Sequence, residues 1–117
     1  MDFQQIDTKE YQVYYDPEST TIDFTGELSL NGASEYDPIK AFLEQIADSE
    51  PRHLTLNLKE LSFLNSSGIS LITKFVIGLR KKPKIQLTVK GSVDVPWQSK
   101  SLKNLQKFLP NLELIVE

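Results

Sequence analysis

The chain reads as an α/β protein: a mixed sheet of about five strands, opened by an antiparallel hairpin and continued by parallel strands, with three main helices. Three observations predict this. Apolar residues recur with a strand period and then a helix period, alternately, over the last two thirds of the 117 residues. A hairpin pattern precedes them, and Gly, Pro or Asn punctuates the joints. Strands alternating with helices imply right-handed crossovers and parallel pairing, which leaves the opening hairpin as the antiparallel part.

The elements follow in order. Tyr11 to Tyr15 alternates as a strand, Asp16-Pro17-Glu18-Ser19 is turn chemistry, and Thr20 to Leu28 alternates again. Asn31-Gly32 breaks that pattern. Asp37-Pro38 then supplies a cap and a proline at the first helical position, and Ile39, Phe42, Leu43 and Ile46 recur at helical spacing until Pro51. Leu54, Leu56 and Leu58 alternate with Thr55, Asn57 and Lys59, and Leu61, Phe63 and Leu64 extend the apolar run as a buried strand. A helix is expected from about Ser67 to Arg80, stopped by Lys81-Lys82-Pro83. Ile85, Leu87 and Val89 form the next strand. After Gly91 the chain wanders through Val95-Pro96-Trp97 before Leu102, Leu105, Phe108 and Leu109 mark a third helix, and Leu112, Leu114 and Val116 close the sheet. No repeat, low-complexity tract or linker interrupts this order, so one domain over residues 1–117 is expected.

Bulk composition narrows the function. Hydrophobic residues make up 39% and charged residues 25%, which is globular composition. A net charge of -3 argues against a nucleic-acid surface, which needs a dense basic field. The absence of Cys removes thiol chemistry and thiolate metal sites. The first residues carry neither a basic nor an apolar targeting region, and no stretch has the length of a membrane span, so a cytoplasmic protein without a membrane partner is expected. His53 is the only histidine and starts a strand, whereas Ser66 follows the far end of that strand, so a Ser-His-Asp triad is not supported. No P-loop or dinucleotide fingerprint is present. Neither an enzyme nor a cofactor or metal site is expected.

The first functional candidate is the turn Asn65-Ser66-Ser67-Gly68, between the end of a strand and the start of a helix. There the free N–H groups and the positive end of the helix dipole face outward, ready to receive an anion. The plain role for one of the two serines is to cap the helix. On the helix that follows, Ile69, Leu71, Ile72, Phe75, Val76 and Leu79 share the face that packs on the sheet. Ser70, Thr73 and Lys74 share the other, with Ile77 among them, so Ile77 is expected to be exposed. Asn65, Ser66, Ser67, Gly68, Ser70, Lys74 and Ile77 together form the candidate binding strip. Arg80, Lys81, Lys82 and Lys84 read as cations favoured at a helix C-terminus, and Trp97 as a core or staple residue.

Phe63-Leu64-Asn65-Ser66-Ser67-Gly68-Ile69 resembles the signature of STAS domains, the fold of bacterial anti-sigma factor antagonists, and Phe24-Thr25-Gly26-Glu27-Leu28 resembles the family's second-strand element. The order of elements agrees from about Tyr11 to Val116. The resemblance implies that Ser66 is phosphorylated by a partner serine kinase of the anti-sigma type, and that the unphosphorylated form binds that partner in a partner-switching circuit that regulates transcription. Ser67 is then the acceptor's neighbour. Asn65 stands where the family usually has Asp. The alternative reading is a constitutive STAS-like scaffold subunit of a transporter or sensory assembly, in which Ser66 only caps.

Overall fold

The computed structural model describes residues 5–117. Its sheet has six strands in strictly sequential order: β1 (Gln5–Asp7), β2 (Tyr11–Asp16), β3 (Thr21–Leu28), β4 (His53–Leu64), β5 (Gln86–Gly91) and β6 (Glu113–Val116). The first three pair antiparallel and the rest parallel, with Ile22 opposite Leu56 and Leu56 opposite Val89 in the centre. Sequential order joined by right-handed crossovers puts every crossover helix on the same face of the sheet. That face carries the buried residues Val13, Ile22, Phe24, Leu54, Leu56, Leu58, Leu87 and Val89. Thr55, Asn57 and Lys59 on the opposite face are partly exposed.

Four helices connect the strands: α1 (Gly32–Glu35), α2 (Asp37–Asp48), α3 (Ser66–Gly78) and α4 (Pro96–Phe108). Ile39, Phe42, Leu43 and Ile46 bury one stripe of α2, and Leu71, Ile72 and Val76 one stripe of α3. These are the stripes that the 3.6-residue period predicts. No helix among the described residues is long and apolar enough to cross a membrane.

The architecture matches the expected class, with several corrections. Among the described residues there are six strands where about five were expected; the additional one is the three-residue β1, which, with only Ile6 half-buried, is too short to show a period. A one-turn helix fills the stretch after Asn31. Tyr36, not Asp37, is the N-cap of α2; Asp37 is already helical. The helix expected to end at Arg80 gives way to a 3₁₀ turn at Leu79–Lys81. Pro96 and Trp97 lie inside the first turn of α4 rather than in a wandering loop.

The largest difference is at Phe63, which is 46% exposed rather than part of a buried run. The β3–β4 register shifts twice, between Asp23 and Thr25 and between Gly26 and Glu27, so Leu61 and Leu64 face inward and Ser62 and Phe63 face out. Gly26 sits at the second bulge with φ +96°, where a Cβ would come within 2.3 Å of the Glu10 carbonyl oxygen. Glycine at position 26 is therefore required by the positive φ and by the close approach of β2.

Candidate functional site at the start of helix α3

The parallel strands end at the rim where α2 and α3 begin, so the loop after β4 meets the loop after β3 there. The Asn65 backbone N–H donates to the Leu28 carbonyl at 3.0 Å, carrying the ladder one residue past the strands. Asn65 then turns away with φ -80° and ψ 176° as the N-cap of α3. Its side-chain oxygen accepts from the Gly68 N–H at 3.0 Å and from the Tyr36 hydroxyl at 2.7 Å. Its amide nitrogen donates to the Leu30 carbonyl at 2.8 Å. The cap is thus neither serine but the residue before them.

This network also accounts for Asn at position 65. A carboxylate there would keep the cap but would set an acceptor against the Leu30 carbonyl, where the structure needs a donor. Tyr36 is buried, and its hydroxyl accepts from the Leu30 N–H at 3.4 Å. Burial pushes its phenol up from the ordinary range, against the opposing effect of that N–H, so it remains a neutral donor to Asn65. Gly68 is needed for close approach: a Cβ there would lie 2.3 Å from the Leu64 side chain and 2.8 Å from the Tyr36 hydroxyl. Nothing in the local sequence pattern pointed to Tyr36 or Leu30, which act from about thirty residues away.

Because Asn65 caps, the serines are released from that duty. Ser66 is the first residue of α3 and is exposed, and its hydroxyl holds no hydrogen bond among the described residues. Ser67 is half-buried. Ser70, Lys74 and Ile77 are exposed and follow Ser66 at steps of four, four and three residues, which aligns them along one side of the helix. Ile77 is 36% exposed. Ile69 and Phe75, expected on the packed face, are only half-buried at its edges. Phe63 adds an exposed aromatic just before the loop, a feature that the apolar run concealed.

Between α2 and α3 runs an open groove of about 520 Å³. Leu43, Ala47, Leu71, Phe75 and Leu79 supply its apolar lining, Asp37, Lys40 and Glu44 one rim, and Ser67, Ser70 and Lys74 the other. Lys82 and Asp48 close the far end with an ion pair at 3.2 Å. Arg80 donates to the Phe108 carbonyl, so two of the four clustered cations make structural contacts. Among the described residues no His, Cys, Asp and Glu cluster would hold a metal. His53 opens β4, at the opposite end from Ser66.

No protein-family model matches the chain, and no curated protein sequence does. Solved structures do match. An anti-sigma factor antagonist from Mycobacterium paratuberculosis superposes with a TM-score of 0.67 at 16% identity, over 89% of this chain and 86% of that one. Apo-SiaC from Pseudomonas aeruginosa gives 0.71 at 11% identity, over 98% and 99%. A chain in the complex of the diguanylate cyclase SiaD with its activator SiaC, from the same organism, gives 0.71 at 13% identity, over 97% and 98%. At these identities the likeness is one of fold, and the chain has a STAS-like fold similar to that of an anti-sigma factor antagonist and of SiaC.

Proposed function

We propose that the protein is a phosphorylation-controlled protein-binding module whose acceptor is Ser66 and whose partner is an anti-sigma-like serine kinase. The observation that carries this reading is the exposed Ser66 hydroxyl, freed by the Asn65 cap and held at the first turn of a helix on a rigid rim. In the transfer, Ser66 Oγ bonds to the γ-phosphorus of ATP as the bond to ADP breaks, and the serine proton passes to the kinase's own base. The domain supplies no catalytic group. The product carries about -1.5 to -2 charges next to unpaired N–H groups and the positive helix end, so it fits the fold. Its effect falls on a partner lying over Ser66, Ser70, Lys74 and Ile77, where charge and bulk enter a desolvated contact. The unphosphorylated form binds and the phosphorylated form releases.

Incubation with the candidate kinase and ATP, followed by intact mass, is expected to add one phosphate to the wild type and none to Ser66→Ala. Ser66→Asp is expected to weaken the partner complex at unchanged thermal stability. Equal binding by the wild type and Ser66→Asp, or phosphate on Ser66→Ala, removes the switch.

The fuller coverage of SiaC favours a second reading of the outcome, though not of the site. SiaC is described as the activator of a diguanylate cyclase, so the free form here would activate a partner enzyme rather than release a sigma factor. Assaying an isolated partner's activity with and without the domain separates the two.

A further inference from the structure

We infer that the groove between α2 and α3 is the seat of an amphipathic helix from the partner protein, lying antiparallel to both walls. This deepens the reading of Ser66 as a switch and rests on it for the role of the phosphate. The groove is open along the two helices and has an apolar floor of Leu43, Ala47, Leu71, Phe75 and Leu79. Its volume of about 520 Å³ suits the few anchoring side chains that a helix sets at i, i+3, i+4 and i+7.

The charges on the rims narrow the occupant. Glu44 and Asp37 stand on the α2 rim with Lys40, and Lys74 stands on the α3 rim. Glu44 and Lys74 do not pair with each other: the ion pairs of the described residues are Lys82–Asp48 and Lys59–Glu117. A helix with basic residues on its α2 flank and acidic residues on its α3 flank would satisfy both. Gly78 allows close approach at the rim of the groove. It is the last residue of α3, in helical backbone, and a Cβ there would meet nothing within 4 Å, so packing within the chain does not require a glycine at this place.

The helix ends set the direction. Residues at the starts of α2 and α3, Asp37, Ser67 and Ser70, line one end of the groove, and Asp48 and Lys82 line the other. The two positive helix ends therefore lie together beside Ser66. A third helix prefers to bring its negative C-terminal end there. A phosphate on Ser66 reverses that field and meets the C-terminal carbonyls with like charge, which explains release without unfolding.

The test uses the full chain, labelled for NMR, and a synthetic helix of about 15 residues, the length at which helices begin to persist in water. It carries leucines at i, i+3, i+4 and i+7, lysines on one flank and glutamates on the other. Two comparison peptides carry only lysines or only glutamates. Expected are saturable shifts at Leu43, Ala47, Leu71 and Gly78, at least tenfold weaker binding of both comparison peptides, and at least tenfold loss with Gly78→Trp and with Lys74→Glu. A nitroxide at the peptide's C-terminal end should broaden Ser67 and Ser70. The proposal is overturned by absent or unsaturable shifts, by equal binding of the three peptides, or by indifference to both substitutions. Broadening at Gly78 and Lys82 instead, or concentration-dependent shifts of the groove without peptide, which would assign it to a second copy, overturn it equally. If Gly78→Trp abolishes binding and Ser66→Asp does not weaken it, the groove stands and the switch falls. If Ser66→Asp releases the natural partner and Gly78→Trp does not, the switch stands and the groove falls.

Discussion

Helices α3 and α4 both begin against strand β4, yet their first turns are put to opposite uses. At α3 a polar residue outside the helix, Asn65, satisfies the backbone and ties the loop to Leu30 and Tyr36. At α4 the N-cap is Val95, with no side-chain cap, and the polar residue inside the helix reaches away to hold the sheet. Gln98 is fully buried; its amide nitrogen donates to the Leu58 and Leu61 carbonyls and its oxygen accepts from the Ser92 N–H at 2.6 Å. The Trp97 indole donates to Leu61 as well, at 3.1 Å. These contacts serve the part of β4 beyond Asn57, where pairing with β5 has stopped. The first turn of α4 is thus consumed by the fold, and that of α3 is left with a free hydroxyl. A helix start is available for chemistry only when something else has met its hydrogen-bonding obligations.

Four substitutions sharpen or break this contrast. Gln98→Ala should be the most damaging, by about 3 kcal/mol in urea unfolding, because it strands the Leu58 carbonyl and the Ser92 N–H in the interior. A loss below 1 kcal/mol would show that α4 does not depend on that anchor. Asn65→Asp should cost about 2 kcal/mol at neutral pH, since a carboxylate faces the Leu30 carbonyl. The burden should shrink on acidification, as a proton restores a donor toward the Leu30 carbonyl, to the extent that repulsion there outweighs the support that the Gly68 N–H, the Tyr36 hydroxyl and the helix dipole give the anion. A variant as stable as the wild type at pH 7 would mean that Asn65 is not locked by the network.

Val95→Asp should gain about 1 kcal/mol in thermal unfolding, because it gives α4 the cap that it lacks at an extended N-cap position. No gain would mean that the orphan N–H groups are already satisfied. Ser66→Ala should change stability by less than about 0.5 kcal/mol, as a surface hydroxyl outside any bond allows. A loss near 1 kcal/mol would return Ser66 to capping, and the contrast between the two helix starts would dissolve.

Much of the candidate site's geometry was legible because its determinants are local. Ser66, Ser70, Lys74 and Ile77 share a side of α3 through the helical period alone, and the strand period before them places the serines at a sheet end. Phe63 shows the limit of that locality: the apolar run Leu61, Phe63, Leu64 reads as one buried stretch, but two register shifts against β3 turn Leu61 and Leu64 inward and leave Ser62 and Phe63 outside. The groove was invisible, since the sequence shows which stripe each helix buries but not how far apart two helices stand.

By itself, then, the order of residues determined the succession of strands and helices, the packed stripes, and the appearance of a serine at a helix start, because periods of 2 and 3.6 and turn chemistry act within a few residues. Tertiary structure decided which group caps that helix, which aromatic turns outward and where a groove stays open. Those outcomes depend on partners such as Tyr36 and Leu30, 29 and 35 positions from Asn65, that only the folded sheet brings within hydrogen-bonding distance.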